Sequence, residues 1–233
     1  EKETKGMKTG LGLRVVTKVN RLPGDLIARF RAFGVANIGD AMGRFGVMDY
    51  QIKPVAKHGV KMVGSAITVR TRPGDNLMIH KALDLTEPGD VIVVDVQGST
   101  QSGLWGSLMT GTALERRVAG LVVDGGVRDA GDIRETGFPV FARAVIAAGG
   151  DKDGPGEVNV PLSCGGVPVF PGDIIVGDDD GVAVVPQAYA AAVADEVDKI
   201  LDTEAKKAES IRAGKLDKTW IDKKLNEKGC VFE

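Results

Sequence analysis

Three short apolar runs, Val91–Val96, Leu121–Val123 and Pro139–Ala142, constrain this chain more than any other feature. None alternates apolar with polar residues over its length, and helical patterns lie between them at Ser107–Arg117 and Ala130–Thr136. Runs of this kind are strands buried on both faces, as in a parallel sheet. Right-handed crossovers then bring successive strand C-termini to one edge, where open parallel sheets hold their ligands. The glycine-studded loop Gly98–Gly106 and the segment Asp124–Asp129 are therefore expected to open toward the same side. One offers backbone N–H groups at a helix start; the other offers Arg128 and Asp129. That pairing suits an anionic ligand and a hard metal ion.

The flanking segments complete an α/β class. Helices are expected at Asp25–Phe33, Asn37–Gly43 and Asn76–Leu85, with extended chain at Ile52–Val55 and a strand at Lys61–Arg72. A Gly- and Asp-rich surface loop, Ala147–Pro155, precedes four short runs: Val158–Val160, Val167–Phe170, Ile174–Val176 and Val182–Val185. Their close spacing and turn-rich boundaries predict antiparallel hairpins beside the parallel strands. A long helix from Pro186 to Ala213 and an amphipathic piece, Leu216–Leu225, end the chain. Pro-Gly-Asp recurs at Pro23, Pro73, Pro88 and Pro171. Proline presets φ, glycine accepts positive φ and aspartate caps the next turn, so the triplet is punctuation.

Charge narrows the function classes. With 30 basic and 32 acidic residues the formal net charge is −2, which argues against a nucleic-acid surface. No apolar run reaches the ~18 residues of a membrane span, and the charged start Glu1–Gly10 lacks the apolar core of a signal peptide. Two cysteines, Cys164 and Cys230, with no CxxC spacing point to free thiols in a reducing, cytoplasmic setting.

Among the candidate sites Arg128-Asp129 stands first. A guanidinium presents a planar fork to a carboxylate, and Mg²⁺ takes one or two carboxylates while keeping several waters. Gly125 and Gly126 would let ligand and backbone approach closely. The Gly98–Gly106 loop is neither a Walker loop nor GxGxxG; its convergence with Arg128 is what gives it weight. Asp178-Asp179-Asp180-Gly181 lacks the alternating ligands of a calcium loop and reads as a hairpin turn. His58 and His80 show no zinc spacing, and His80, inside an amphipathic helix, reads as structural. No lysine interrupts the apolar core runs, which counts against imine chemistry and in favour of a metal.

The combined motifs Gly103-Leu-Trp-Gly-Ser-Leu-Met-Thr110, Gly120-Leu-Val-Val-Asp-Gly-Gly-Val-Arg-Asp129, Phe138-Pro-Val-Phe-Ala-Arg143 and Val167–Pro186 resemble the RraA-like family. That family includes the 4-hydroxy-4-methyl-2-oxoglutarate / 4-carboxy-4-hydroxy-2-oxoadipate aldolases and the regulators that inhibit ribonuclease E. The resemblance spans Val35–Pro186. It implies an α/β/β/α sandwich of the swivelling-domain type with a mixed sheet and a long C-terminal helix, assembled as a homotrimer or homohexamer. Residues 21–213 would form that domain, after a flexible 1–20 and before a helical tail, 214–233.

The resemblance also implies roles. Gly106, Ser107, Leu108 and Met109 would bind a 2-oxo acid through their backbone, together with Arg128. Asp129 would hold Mg²⁺ or Mn²⁺, mostly through waters. Glu204 is the positional match to a glutamate supplied by a neighbouring subunit. The aldolases carry an acid where this chain has Ser107, and a hydroxyl cannot take a proton as a carboxylate does. Three readings result: a metal-dependent lyase on 2-oxo acids, favoured by Asp129, which the regulators lack; a non-catalytic binding protein, kept open by Ser107; and an enzyme of the same fold with a different substrate, sharing the metal site.

Overall fold

The computed structural model describes residues 10–55 and 59–232; His58 and the first nine residues of the expected flexible segment lie outside them. In chain order the strands are β1 (Leu13–Val15), β2 (Lys53–Pro54), β3 (Met62–Thr71), β4 (Asp90–Asp95), β5 (Gly120–Val127) and β6 (Val140–Val145). They continue with β7 (Gly156–Val158), β8 (Leu162–Cys164), β9 (Val167–Val169), β10 (Ile174–Asp178) and β11 (Gly181–Val185). The helices are α1 (Gly24–Arg29), α2 (Val35–Ala41), α3 (Leu77–Leu85), α4 (Ser107–Glu115), α5 (Ala130–Thr136), α6 (Ala190–Arg212) and α7 (Thr219–Glu227).

The parallel core is β3–β4–β5–β6. On its other edge the long β3 pairs antiparallel with β10 over its first half and with β7 over its last three residues. β10 turns into β11 through Asp178–Gly181, the hairpin turn expected there, and β8–β9 is a separate hairpin. β1 pairs parallel with β7, an edge strand that the residue pattern does not announce. The sheet is therefore mixed.

The apolar residues of the central strands feed three clusters on opposite sides of the sheet, and this explains the missing alternation. Ile92 and Val94 of β4 join Leu121 and Val123 under α3, α4 and α5, around Trp105 and Phe138. Val91 and Val93 face the other way, toward Phe141, Cys164, Ile175 and Val184. The far side of the β10–β11 hairpin, Ile174, Val176, Ala183 and Val185, packs on Phe30, Ile38, Val193 and Val197 of the helices beyond. Helices, sheet, hairpins, helices: the layers are α/β/β/α, as the resemblance implied. No helix among the described residues is long and apolar enough to cross a membrane.

One segment departs from the expectation in a way that matters for the site. The glycine pair predicts that the second run ends in a loop at Asp124–Val127, yet β5 continues to Val127 with every residue buried. The glycines make this possible. A Cβ on Gly125 would stand 2.3 Å from Val96 Cγ2 and 2.8 Å from the Ser99 carbonyl oxygen, and one on Gly126 would stand 2.7 Å from that of Ser102. The close approach at these two glycines is thus made by the protein's own 98–103 loop, not by a ligand.

Three of the four Pro-Gly-Asp aspartates, all but Asp25, hold main-chain N–H groups, and two of them hold the residue before the proline rather than the next turn. Asp90 and Asp173 each accept the N–H of the residue before the proline, Glu87 at 2.7 Å and Phe170 at 2.8 Å. Asp75 goes further. Fully buried, it accepts the N–H groups of Leu77 (2.9 Å), Asp153 (2.7 Å) and Gly154 (2.8 Å), and its carboxylate lies 3.3 Å from Arg72. It thereby clamps the start of α3 to the 150–154 loop. Asp75→Ala leaves those donors unpaired in the interior and should cost about 3 kcal/mol, read as a lowered urea midpoint.

Candidate functional site

β4, β5 and β6 end together, and the chain leaving each of them contributes to one recess. Gly103, from the β4–α4 connection, forms parallel bridges to Gly126 and Gly149. Its N–H bonds the Ala148 carbonyl at 2.7 Å, and Leu104 N–H bonds the Gly126 carbonyl at 2.9 Å. Arg128 N–H returns to the Trp105 carbonyl at 2.8 Å. The Trp105 indole, buried, donates to Thr110 Oγ1 at 2.8 Å, locking the loop onto α4. Asn76 Nδ2 holds the same loop from α3, donating to the Leu104 carbonyl at 3.0 Å.

Above this lattice Arg128 lies in a trough of glycines. A Cβ at Gly103 would meet Arg128 Cβ at 2.9 Å, one at Gly106 would meet Arg128 Cγ and Nε at 3.2 Å, and one at Gly149 would meet Nη1 at 2.8 Å. Asp129 sits beside it at the N-cap of α5, in the left-handed conformation (φ 55°, ψ 39°) that non-glycine residues seldom adopt. This backbone does not serve to cap its own helix. It turns the carboxylate to the neighbouring helix: Asp129 Oδ2 accepts the Ser107 N–H at 3.0 Å and the Ser107 hydroxyl at 3.2 Å, and lies 3.7 Å from Arg128 Nε. The start of α4 thus attracts a carboxylate, as its orphan N–H groups and dipole require. The next amides, of Leu108 and Met109, belong to the same unpaired first turn.

These groups line a cavity of about 270 Å³ that contains Gly106, Ser107, Leu108, Met109, Arg128 and Asp129 together. The sequence reading places all six in one site, and the structure brings them into one pocket. Both charged side chains remain partly open, Arg128 at 46% and Asp129 at 36%, so a ligand can reach them. Glu204 is not among them. It lies on α6, in the layer packed against α2, where it accepts a hydrogen bond from Asn37 Nδ2 at 3.0 Å. Within a single chain it takes no part in the pocket.

Three polar members of the pocket escape the sequence reading, Asn76 among them. His80, which its helical setting marks as structural, lines the pocket from α3, and Lys152 lines it from the loop after β6. The helical spacing of His80 to Asn76 is legible in the chain; that this face of α3 looks onto the 103–106 loop is not. Burial is the first cause of a lowered His80 pKa, with the Lys152 charge adding to it and Asp84 opposing it.

Asp124 of the Asp-Gly-Gly motif points to the other face of the sheet. Its carboxylate is held by Arg143 Nε, and Gly165 N–H donates to it at 2.8 Å. Arg143 also reaches Gln51 at 2.6 Å and Asp49 at 3.3 Å. This cluster ties the β8–β9 hairpin and the 49–51 turn to the strand ends. Nearby Asp95 has its pKa raised, by burial first, while the Gln97 N–H pulls the other way and the Asp124 charge adds to the rise.

Among the described residues no three His, Cys, Asp or Glu side chains gather as a metal cage. Asp129 is, among the described residues, the one carboxylate lining the pocket, and a single carboxylate in an open recess fits a hydrated hard cation that keeps most of its waters. Tighter, all-protein coordination does not fit.

Gly106→Ala tests the trough directly, since its Cβ would be driven against Asp129 Oδ2, 2.4 Å away. The carboxylate must move. Titration with oxalate should show at least about tenfold weaker binding with an unchanged urea midpoint.

The RraA-like profile, described as aldolase/RraA, matches residues 35–184. A relative in Halalkalibacterium halodurans, provisionally named a 4-hydroxy-4-methyl-2-oxoglutarate aldolase, is 41% identical over 75% of this chain and 83% of its own length. One from Thermus thermophilus, named 4-hydroxy-4-methyl-2-oxoglutarate aldolase, is 38% identical over 48% of this chain and 69% of its own. Streptomyces coelicolor RraAS2, described as an unusual member of the RNase ES inhibitor RraA protein family, superposes with a TM-score of 0.72 at 30% identity. The match covers 83% of this chain and 98% of that one. A matched profile over more than half the chain, the motifs that fold into one pocket and the shared architecture lead to one assignment: this chain belongs to the RraA-like family.

Proposed function

We propose that this protein is a divalent-metal-dependent lyase acting on 2-oxo acids. It would cleave 4-hydroxy-2-oxo diacids in the aldol sense, decarboxylate oxaloacetate, or do both. The observation that carries this reading is the convergence of Arg128, Asp129 and the first turn of α4 on one small pocket. The aldolase names of the two relatives support it.

Arg128 would pair with the substrate carboxylate, since its guanidinium is partly open and held in place by the glycine trough. The amides of Leu108 and Met109 would donate to oxygen atoms on which negative charge grows as pyruvate enolate forms. Asp129 would hold Mg²⁺ or Mn²⁺; when bound, the ion supplies a positive charge that polarises the keto oxygen. The carboxylate is already oriented by Ser107, so little reordering is needed on binding. In both reactions the same enolate results, from C–C cleavage in one case and from loss of CO₂ in the other. Ser107 cannot act as the base. Glu204 would reach the pocket only from a neighbouring subunit of a homotrimer or homohexamer.

A second reading is a non-catalytic binding protein of the ribonuclease-regulator kind. The name of the Streptomyces coelicolor structure and the serine at 107 favour it. Retention of ribonuclease E on the immobilised protein, together with no heat of metal binding, would decide for it.

Turnover of oxaloacetate and 4-hydroxy-4-methyl-2-oxoglutarate with Mg²⁺ or Mn²⁺ tests the lyase reading, and no product from either refutes it. Arg128→Ala should raise KM about tenfold to a hundredfold, the worth of one charged hydrogen-bonding partner. Asp129→Ala should abolish the response to added metal. Normal kinetics in both variants would exclude this pocket as the active site.

A further inference from the structure

The pocket beside Arg128 and Asp129 has a second wall, formed by the first turn of α3, and that wall carries a histidine. Asn76 and His80, one helical turn apart, both line the cavity. Asn76 is 7% exposed. Its Nδ2 donates to the Leu104 carbonyl, which fixes the orientation of the amide and leaves Oδ1 buried without a hydrogen-bond partner. That oxygen is closed off from the cavity, so the acceptor this wall offers a ligand is the His80 ring. The His80 main chain is tied to Asn76 by a 3.2 Å hydrogen bond, and its ring, half-buried, lies one turn farther along the same face.

The other titratable side chains lining the pocket are Arg128, Asp129 and Lys152. The two cations have no free lone pair with which to accept a proton. Asp129 Oδ2 already receives both the N–H and the hydroxyl of Ser107. His80 is left. Burial and the Lys152 ammonium lower its pKa, against a weaker opposing pull from Asp84, which favours the neutral ring, the form able to take a proton.

We propose that His80 is the proton acceptor for the C4 hydroxyl of a 4-hydroxy-2-oxo acid held in this pocket, an assignment that rests on the lyase reading above. The substrate's 2-oxo acid end lies against Arg128 and the α4 amides, and its hydroxyl end faces α3. The free imidazole nitrogen takes the hydroxyl proton. The O–H electron pair becomes the new C=O bond as C3–C4 breaks, and the C3–C4 pair passes into the pyruvate enolate. The imidazolium then gives its proton to C3. One hydroxy acid becomes pyruvate and one carbonyl compound, with no net proton, oxidant or reductant consumed. His80 thus fills the role that Ser107 cannot.

Oxaloacetate separates this role from a structural one, because it has no C4 hydroxyl and its decarboxylation begins without a base. In His80→Gln, cleavage of 4-hydroxy-4-methyl-2-oxoglutarate with Mg²⁺ should fall about a hundredfold or more, while decarboxylation stays within about threefold of the parent. In the parent, kcat/KM for cleavage should fall on the acid side, below the ordinary imidazole range; that limb should vanish in the variant. Added imidazole should restore part of the rate in His80→Gly. If His80→Gln lowers the urea midpoint, His80→Asn repeats the comparison. Retained cleavage, equal loss of both reactions, or a persisting acid limb would overturn the assignment and leave the lyase reading standing. If the unsubstituted chain turns over neither substrate, the lyase reading itself fails and His80 loses its role with it.

Discussion

Everything in this molecule depends on four parallel-paired strands being buried on both sides. β3, β4, β5 and the first half of β6 hand their apolar side chains to clusters on both sides of the sheet, so these strands have no solvated face and no register slip is tolerated. The pairing of Asp95 with Asp124 sets the point at which β4 leaves the sheet, while β5 runs on to Val127 beside the 98–103 loop. The site is a consequence of that register. Shift β5 by one residue and Arg128 no longer faces Gly103 and Gly106.

The local order of the site comes from a short exchange between two helices. α5 begins with a left-handed aspartate whose carboxylate satisfies the first amide of α4. α4 in turn begins at an extended glycine with no Cβ to obstruct that carboxylate. Neither feature works alone. A side chain at 106 would push Asp129 away, and an α5 begun in the ordinary way would point residue 129 elsewhere.

Much of this is legible in the residues. Unalternating apolar runs indicate the parallel strands, helical spacing marks α3, α4 and α5, and the rule that ligands gather at strand C-termini places Arg128 and Asp129 beside Gly106. The family resemblance supplies the order of the layers. What is not legible has physical reasons. Gly125 and Gly126 look like a turn because glycine is commonest in turns, but here they are strand residues on which the 98–103 loop rests. The strand Leu13–Val15 is only three residues long and mostly exposed, too short for its pattern to announce it, and is held by backbone pairing to β7. His80 and Lys152 come from separate elements joined only in three dimensions, so no spacing in the chain connects them. The destination of Glu204, bonded to Asn37 within its own chain, likewise cannot be read from its position along a helix.

The glycine trough carries an implication for how such a protein can change. A recess whose floor is main chain keeps its contour while the side chains around it drift, because little in the floor can be exchanged without filling it. Diversification is thereby channelled to the rim: residue 107, the first turn of α3 and the loop bearing Lys152. A laboratory library aimed at new substrates would do best to randomise those positions, His80 excepted, and hold 103, 106 and 149 constant.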